Sequence, residues 1–225
     1  QGYTGNPKRD TDYTMHKVVQ HFGAFLRKMQ LDNVHVVGHS RGGYVVARLT
    51  LEQPDLVASC TCVDSNTLGP GVGMNEVMLA NPPHPPLSRE CQRWILERYS
   101  YGHEHIDDDW LDVLMDVGKQ QKHRQAVSKM EKGGLKTGLF LPRLSKDRAD
   151  TYARIRDTGM RRPTLIMGGY NDPTALLEQG HRLYDMIAAT ERRSYMHILN
   201  RAGHFSMREQ ADNFNATLAG FIQSV

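Results

Sequence analysis

Asn33-Val34-His35-Val36-Val37-Gly38-His39-Ser40-Arg41-Gly42-Gly43-Tyr44-Val45-Val46-Ala47 is an apolar strand that runs into a helix through a serine. The β-branched run 34–37 suits a short buried strand. From Arg41 the apolar positions fit a helix that stops near Gln53, before Pro54. Between the two, Gly38, Ser40 and Gly42 form a G-x-S-x-G turn. A strand-to-helix turn of this kind needs small residues beside a serine with a strained backbone, so that the hydroxyl projects above the sheet edge. Gly43 gives helix and strand room to pack closely. An ordinary glycine-rich βα turn, or a phosphate cradle at a helix N-terminus, would draw on the same residues. Partners elsewhere in the chain distinguish these cases.

Working outward, Met15, Val18, Val19, Phe22, Phe25, Leu26 and Met29 recur at helical spacing behind Thr14, a capping residue. After the serine helix, Val57-Ala58-Ser59-Cys60-Thr61-Cys62-Val63 predicts a second buried strand. Alternating helices and continuously apolar strands argue for a parallel sheet covered by helices. Beyond Asp64 the pattern breaks into a Gly-, Pro- and Asn-rich stretch over 65–86. Helices capped by Ser88 and Asp107 follow, the second with Trp110, Leu111, Leu114 and Val117 on one face. Residues 68–158 show no clear strand and are expected to be a helical cap inserted into a core of 1–67 and 159–225. The α/β pattern resumes with a strand at 163–169, a helix near 176–189 and a strand at 195–199. A C-terminal helix closes the chain, striped by Ala211, Phe214, Leu218, Phe221 and Ile222.

A serine hydroxyl is a weak nucleophile without a base, and the base needs an acid to orient it. Asp172 lies just beyond the strand ending at Gly169, and His204 just beyond the strand ending at Leu199. Ser40, Asp172 and His204 thus all fall at C-terminal strand ends, the edge where open parallel sheets bind ligands. Their order in the chain, Ser then Asp then His, is the one expected on a sheet of this kind. Asp64 also follows a strand and is the rival acid. His39 adjoins the serine and is expected to line the pocket. His103, His105 and residues 107–109 resemble metal ligands at first sight, but the acidic run also suits the first turn of a helix. No metal and no cofactor is expected.

Composition narrows the field further. The 225 residues are 39% hydrophobic and 24% charged, with a mean hydropathy of -0.55, which is globular but lean for a large core. A net charge of +3 without a basic stripe argues against nucleic acid, and Lys119-Gln120-Gln121-Lys122-His123-Arg124 reads as a solvated helix face. No apolar run approaches 18 residues, so no transmembrane helix is expected, and no signal peptide is visible. Three cysteines without a CxxC spacing suit buried free thiols in a reducing compartment, so a cytoplasmic location is expected. Cys60 and Cys62 should point the same way from their strand. The expected partner is a small molecule, and self-association is left open.

GHSRGG at 38–43, the acid in GYNDP, and AGHFS ahead of an amphipathic helix resemble the α/β-hydrolase superfamily over nearly the whole chain. Val63-Asp64-Ser65-Asn66-Thr67-Leu68-Gly69-Pro70-Gly71 is similar to the loop entering the cap of meta-cleavage-product hydrolases, which split a carbon–carbon bond in ring-fission products. The resemblance implies a catalytic triad of Ser40, Asp172 and His204, with the Arg41 backbone N–H as one oxyanion donor. It implies no cofactor and a pocket wall drawn from His39, Leu68, Trp110, Phe140 and Phe205, while Leu68, Trp110 and Phe140 read equally well as the cap's own small core. A cap cation for a substrate carboxylate has three candidates, Lys119, Lys122 and Arg124. His39 stands where that subgroup often has Asn, and Phe205 where it often has Trp. Gln1-Gly2-Tyr3-Thr4-Gly5-Asn6-Pro7 resembles the tail of the loop after the family's fourth strand. The resemblance therefore implies four further strands and an oxyanion loop ahead of Gln1, and an apolar unpaired edge at 34–37 in a chain without them. A carboxylesterase or lactonase on the same triad, and a non-catalytic ligand-binding relative, are the alternatives.

Overall fold

A computed structural model describes residues 6–71 and 73–225; the reading of 1–5 as a family loop lies outside the described residues. Among the described residues four strands, β1 (Val34–His39), β2 (Val57–Val63), β3 (Thr164–Gly169) and β4 (Ser194–Leu199), form one parallel sheet in the order β1-β2-β3-β4. Helix α1 (Met15–Lys28) precedes β1, and α2 (Arg41–Glu52) joins β1 to β2. Between β2 and β3 lie α3 (Asn75–Met78), α4 (Arg89–Tyr99), α5 (Asp108–Lys119), α6 (Gln121–Glu131) and α7 (Leu141–Thr158). A π-helical turn, Lys136–Phe140, leads into α7. Helix α8 (Leu177–Ala188) joins β3 to β4, and α9 (Ser206–Glu209) and α10 (Ala211–Ser224) follow β4.

The local signals act where the sequence places them. Thr14 Oγ1 accepts from the Lys17 amide, Ser88 Oγ from that of Cys91 and Asp107 Oδ1 from that of Trp110, each satisfying one orphan donor of a helix N-terminus. Asp108 and Asp109 stand in the first turn of α5 and Arg27 and Lys28 in the last turn of α1, as the helix dipole favours. Cys60 and Cys62 are buried and free, with their sulfurs 3.8 Å apart on one face of β2. Among the described residues no helix is long and apolar enough to cross a membrane.

The strand order dictates how the sheet is covered. Strands added in one direction through right-handed crossovers put α2, α7 and α8 on the same face. The main core lies there, with Val19, Leu49, Val57, Cys60, Ile155 and Ile187 at 0% exposure. Burying a side chain of this size is worth about 1.5–3 kcal/mol. Helix α7 is tied to α2 by Arg48, which pairs with Glu52 and Asp150 at 2.6 Å and donates to Thr151 Oγ1 at 3.0 Å. On the opposite face α10 packs Phe214 and Phe221 against Val63, Leu165, Met167 and Leu199. That helix covers the β3–β4 end and leaves β1 open.

The expectation of a buried strand at 34–37 is therefore corrected. Val36 is buried against the helical face, but His35 is exposed and Val37 is 43% exposed. A β-branched run predicts a strand but says nothing of what covers each face. β1 is an edge strand, with β2 its sole partner among the described residues.

Candidate active site

Ser40 sits between β1 and α2 with φ 55° and ψ −118°, a left-handed conformation that costs a non-glycine residue about 1–3 kcal/mol. Three hydrogen bonds hold it there. Its amide donates to the Val63 carbonyl at 2.8 Å, and its own carbonyl accepts from the Gly43 amide at 3.0 Å and from Ser65 Oγ at 2.6 Å. Two glycines make the turn sterically feasible. A Cβ on Gly38 would lie 2.1 Å from the Gly42 carbonyl oxygen, and one on Gly43 would lie 2.5 Å from Ser65 Cβ. Gly42 differs, since a Cβ there meets nothing within 4 Å. The Ser40 hydroxyl is half-buried and takes no hydrogen bond among the described residues. The Arg41 amide, first in α2, is one of the N–H groups with no acceptor inside the helix.

His204 and Asp172 meet at the same sheet edge. His204 Nδ1–H donates to Asp172 Oδ2 at 2.8 Å, and both side chains are almost fully buried. Asp172 Oδ1 accepts from the Thr174 amide, Thr174 Oγ1 and the Ala175 amide at 2.7–2.9 Å. Burial works against each charge, but the pairing outweighs it. It lowers the Asp172 pKa below the usual carboxylate value and raises that of His204 above the usual imidazole value. Imidazole with Nδ1 protonated presents a lone pair on Nε2, as a general base requires.

Asp64, the rival acid, faces other donors. Its Oδ1 accepts from the Gly169 amide at 2.7 Å and its Oδ2 from Ser206 Oγ at 2.6 Å, which ties the ends of β2 and β3 to the loop after His204. Burial, then the charge of Asp172, pushes its pKa up to about 7. His39 Nε2–H donates to the His204 carbonyl at 2.6 Å, with the two rings 4.7 Å apart. Burial and the neighbouring His204 hold the His39 pKa at about 4, so its ring is neutral at physiological pH.

The other residues singled out in the sequence fall in several places. The rings of His39 and Phe205 lie 4.7 and 5.6 Å from that of His204, whereas Trp110 meets Phe205 edge-on at 4.9 Å and packs with Leu96, Ile106 and Leu111, so it reaches the site only through Phe205. Leu68 and Phe140 instead lie buried in the main core. Lys119 pairs with Asp116, and Arg124 Nε donates to the Gly118 carbonyl. Lys119 and Arg124 border a separate cavity with Pro85, Ser88 and Met115. His105 is bonded to Ser100, Asp107 caps α5 and pairs with Arg208, and Asp108 pairs with Arg89. Among the described residues no three His, Cys, Asp or Glu side chains converge as a metal site.

Sequence reasoning missed Thr174, Tyr99 and Glu209. Thr174 lies two residues past Asp172, a spacing that signals an Asx turn. Tyr99 accepts the His204 amide on its carbonyl at 2.8 Å and places its ring 5.1 Å from the imidazole. Nothing in the sequence marks it. Glu209 gathers the amides of Tyr101, Gly102 and Gly203 at 2.8–3.0 Å and so braces the His204 loop.

Comparison with known proteins adds the context of relatives. The family model described as alpha/beta hydrolase fold matches residues 1–210. A 2-hydroxy-6-oxononadienedioate/2-hydroxy-6-oxononatrienedioate hydrolase of Paraburkholderia xenovorans is 22% identical over 208 residues, covering 88% of this chain and 64% of its own length. Its counterpart in Pseudomonas putida is 25% identical over 201 residues, covering 87% and 65%. The chain thus spans just under two thirds of the length of these curated relatives. Among solved structures, a meta-cleavage product hydrolase of Pseudomonas fluorescens superimposes with a TM-score of 0.74 at 21% identity, covering 94% of this chain and 72% of that one. The 2-hydroxy-6-oxo-6-phenylhexa-2,4-dienoate hydrolase of a Rhodococcus species gives 0.74 at 16% identity, covering 96% and 73%.

Proposed function

The chain belongs to the α/β-hydrolase fold family, and on that premise we propose that it is a serine hydrolase acting on ring-fission products of aromatic degradation. Its substrates are of the 2-hydroxy-6-oxo-dienoate class, and the bond cleaved is a carbon–carbon bond beside a carbonyl. The hydrogen bond from His204 Nδ1 to Asp172 Oδ2, at the sheet edge that also carries the strained Ser40, is the observation that carries this proposal. The substrate class is supported by curated relatives named 2-hydroxy-6-oxononadienedioate/2-hydroxy-6-oxononatrienedioate hydrolase.

In the proposed reaction the dienol first takes its keto form by moving a proton from oxygen to carbon. Ser40 Oγ then attacks the carbonyl carbon remote from the carboxylate while His204 Nε2 accepts the hydroxyl proton. The Arg41 amide donates to the oxyanion, a contact whose removal in such sites costs about 10²–10³ in rate. Collapse breaks the carbon–carbon bond, and the leaving dienolate takes up a proton. Water, deprotonated by His204, then releases the acyl group from Ser40, so one water is consumed and a carboxylic acid and a 2-hydroxydienoate result. Asp172 keeps the imidazole in the required tautomer throughout. Residues 68–158 serve as a cap over Ser40, with His39 and Phe205 in the pocket wall and Trp110 behind Phe205.

A fluorophosphonate probe with peptide mapping, run beside the fading absorbance of a ring-fission product, tests this. Label on Ser40 and turnover of the dienoate are expected. Turnover of a p-nitrophenyl ester without the dienoate would replace the proposal by a carboxylesterase, and absence of label on Ser40 would remove the serine mechanism.

A further inference from the structure

Among the described residues, no carboxylate engages the cation that stands directly beside Ser40. The Arg41 side chain is exposed and forms no ion pair among those residues. Its guanidinium lies over the ring of Phe140, 5.3 Å from the centroid. Phe140 is 3% exposed and packed in the main core, so the cation rests on a rigid apolar seat. Other arginines around the site are already satisfied. Arg48 holds Glu52 and Asp150, Arg148 donates to the carbonyls of Gly69 and Gly71, and Arg208 pairs with Asp107.

A second donor stands close by. Asn66 Nδ2 donates to Asn75 Oδ1 at 2.7 Å, and Asn75 Nδ2 donates in turn to the Tyr99 hydroxyl at 3.0 Å. The relay uses Tyr99 Oη as an acceptor, and its own proton has no acceptor among the described residues. The Tyr99 ring packs 5.1 Å from that of His204, and burial raises the phenol's pKa, offset in part by the Asn75 hydrogen bond and then by the Arg41 charge. The Tyr99 ring thus stands beside His204 and Arg41 follows Ser40 directly in the chain, and neither the guanidinium nor the phenol has an anionic partner among the described residues. A half-buried hydroxyl such as that of Tyr99 is satisfied by a ligand or by water, and the exposed guanidinium of Arg41 is open to an anion.

We infer that Arg41 and the Tyr99 hydroxyl receive a carboxylate of the substrate, which makes the Arg41 side chain a specificity-determining residue for anionic compounds. This rests on the proposal that Ser40 and His204 are the reacting pair. The role is distinct from that of the Arg41 amide, which every side-chain variant retains. It also moves carboxylate recognition from Lys119 and Arg124, which border another cavity, to the first turn of α2.

The test is ligand binding in a protein that cannot turn over. Ser40→Ala is titrated calorimetrically with sorbate, a simple dienoate anion, and with methyl sorbate, its neutral ester. Arg41→Met and Tyr99→Phe are then added separately in that background. A charge-assisted hydrogen bond is worth about 10- to 100-fold in affinity, so Arg41→Met is expected to raise the sorbate Kd by that factor. Tyr99→Phe should raise it by about 3- to 10-fold. The Kd of methyl sorbate should move by less than about threefold in either variant, and Arg41→Lys should recover part of the loss. Equal weakening of acid and ester, a sorbate Kd indifferent to both substitutions, or no sorbate binding at all would overturn the inference. Charge-selective binding that depends on Arg41 and Tyr99, in a parent protein that hydrolyses nothing, would sink the hydrolase proposal and leave only a carboxylate-binding site at these residues. Turnover with charge-blind binding would do the reverse.

Discussion

Replacing Asp172 by Asn changes one atom and should disable His204. Three donors, the Thr174 amide, Thr174 Oγ1 and the Ala175 amide, converge on Asp172 Oδ1 and require an acceptor there. The amide oxygen of Asn must take that place, which turns its NH2 group toward His204 Nδ1. Nδ1 then becomes the acceptor and the proton moves to Nε2, the nitrogen that has to take a proton from Ser40. The wrong-tautomer effect in a serine triad is about 10⁴ in kcat, or about 5 kcal/mol of barrier. Loss of the Asp172 charge also leaves burial of His204 opposed only by the smaller influences of Asp64 and Glu209, so the acid limb of the pH–rate profile should move downward. Stability should change by only about 1 kcal/mol, since the turn at Oδ1 is preserved. Steady-state hydrolysis from pH 5 to 9 gives the rate loss and the limb, and nitrogen NMR of the imidazole gives the tautomer. Activity above one tenth of the parent, a proton still on Nδ1, or a larger loss from Asp64→Asn would refute the assignment of roles.

Asp64 is expected to act on stability instead. Its folded pKa of about 7 exceeds that of an ordinary carboxylate, so its contribution is present at low pH and is lost as pH rises through about 7. Asp64→Asn should accordingly gain about 1–4 kcal/mol relative to the parent between pH 4 and pH 8, read from Tm at each pH; an equal change at both would contradict this. The turn glycines should separate sharply. Gly38→Ala drives a Cβ into the Gly42 carbonyl and should cost about 3 kcal/mol or prevent folding, whereas Gly42→Ala should fall between neutral and about 1 kcal/mol stabilising, both measured by denaturant unfolding. Glu209→Ala strands the amides of Tyr101, Gly102 and Gly203, so hydrogen exchange there should quicken and stability fall by about 1–3 kcal/mol.

Most of the elements and the shortlist of chemistry were legible along the chain. Caps at Thr14, Ser88 and Asp107, breakers such as Pro54, and apolar periodicity act within a few residues, so they can be read without knowing the fold. Ser40, Asp172 and His204 were legible as candidates because each follows a strand, and C-terminal ends of parallel strands share one edge. Several matters were left to the tertiary structure. His204 faces Asp172 while Asp64 turns to Gly169 and Ser206, pairings that span 32, 105 and 142 residues and depend on loop conformation. Leu68 and Phe140 entered the main core, Trp110 a small cluster with Leu96, Ile106 and Leu111, and Phe205 the side of His204, although all four are equally apolar on paper. The exposure of Val37 follows from one-directional strand order, which puts the crossover helices on the other face. Periodicity and capping are properties of neighbours in the chain. Which carboxylate meets an imidazole, and which apolar side chain meets water, are properties of segments brought together only when the sheet closes its register.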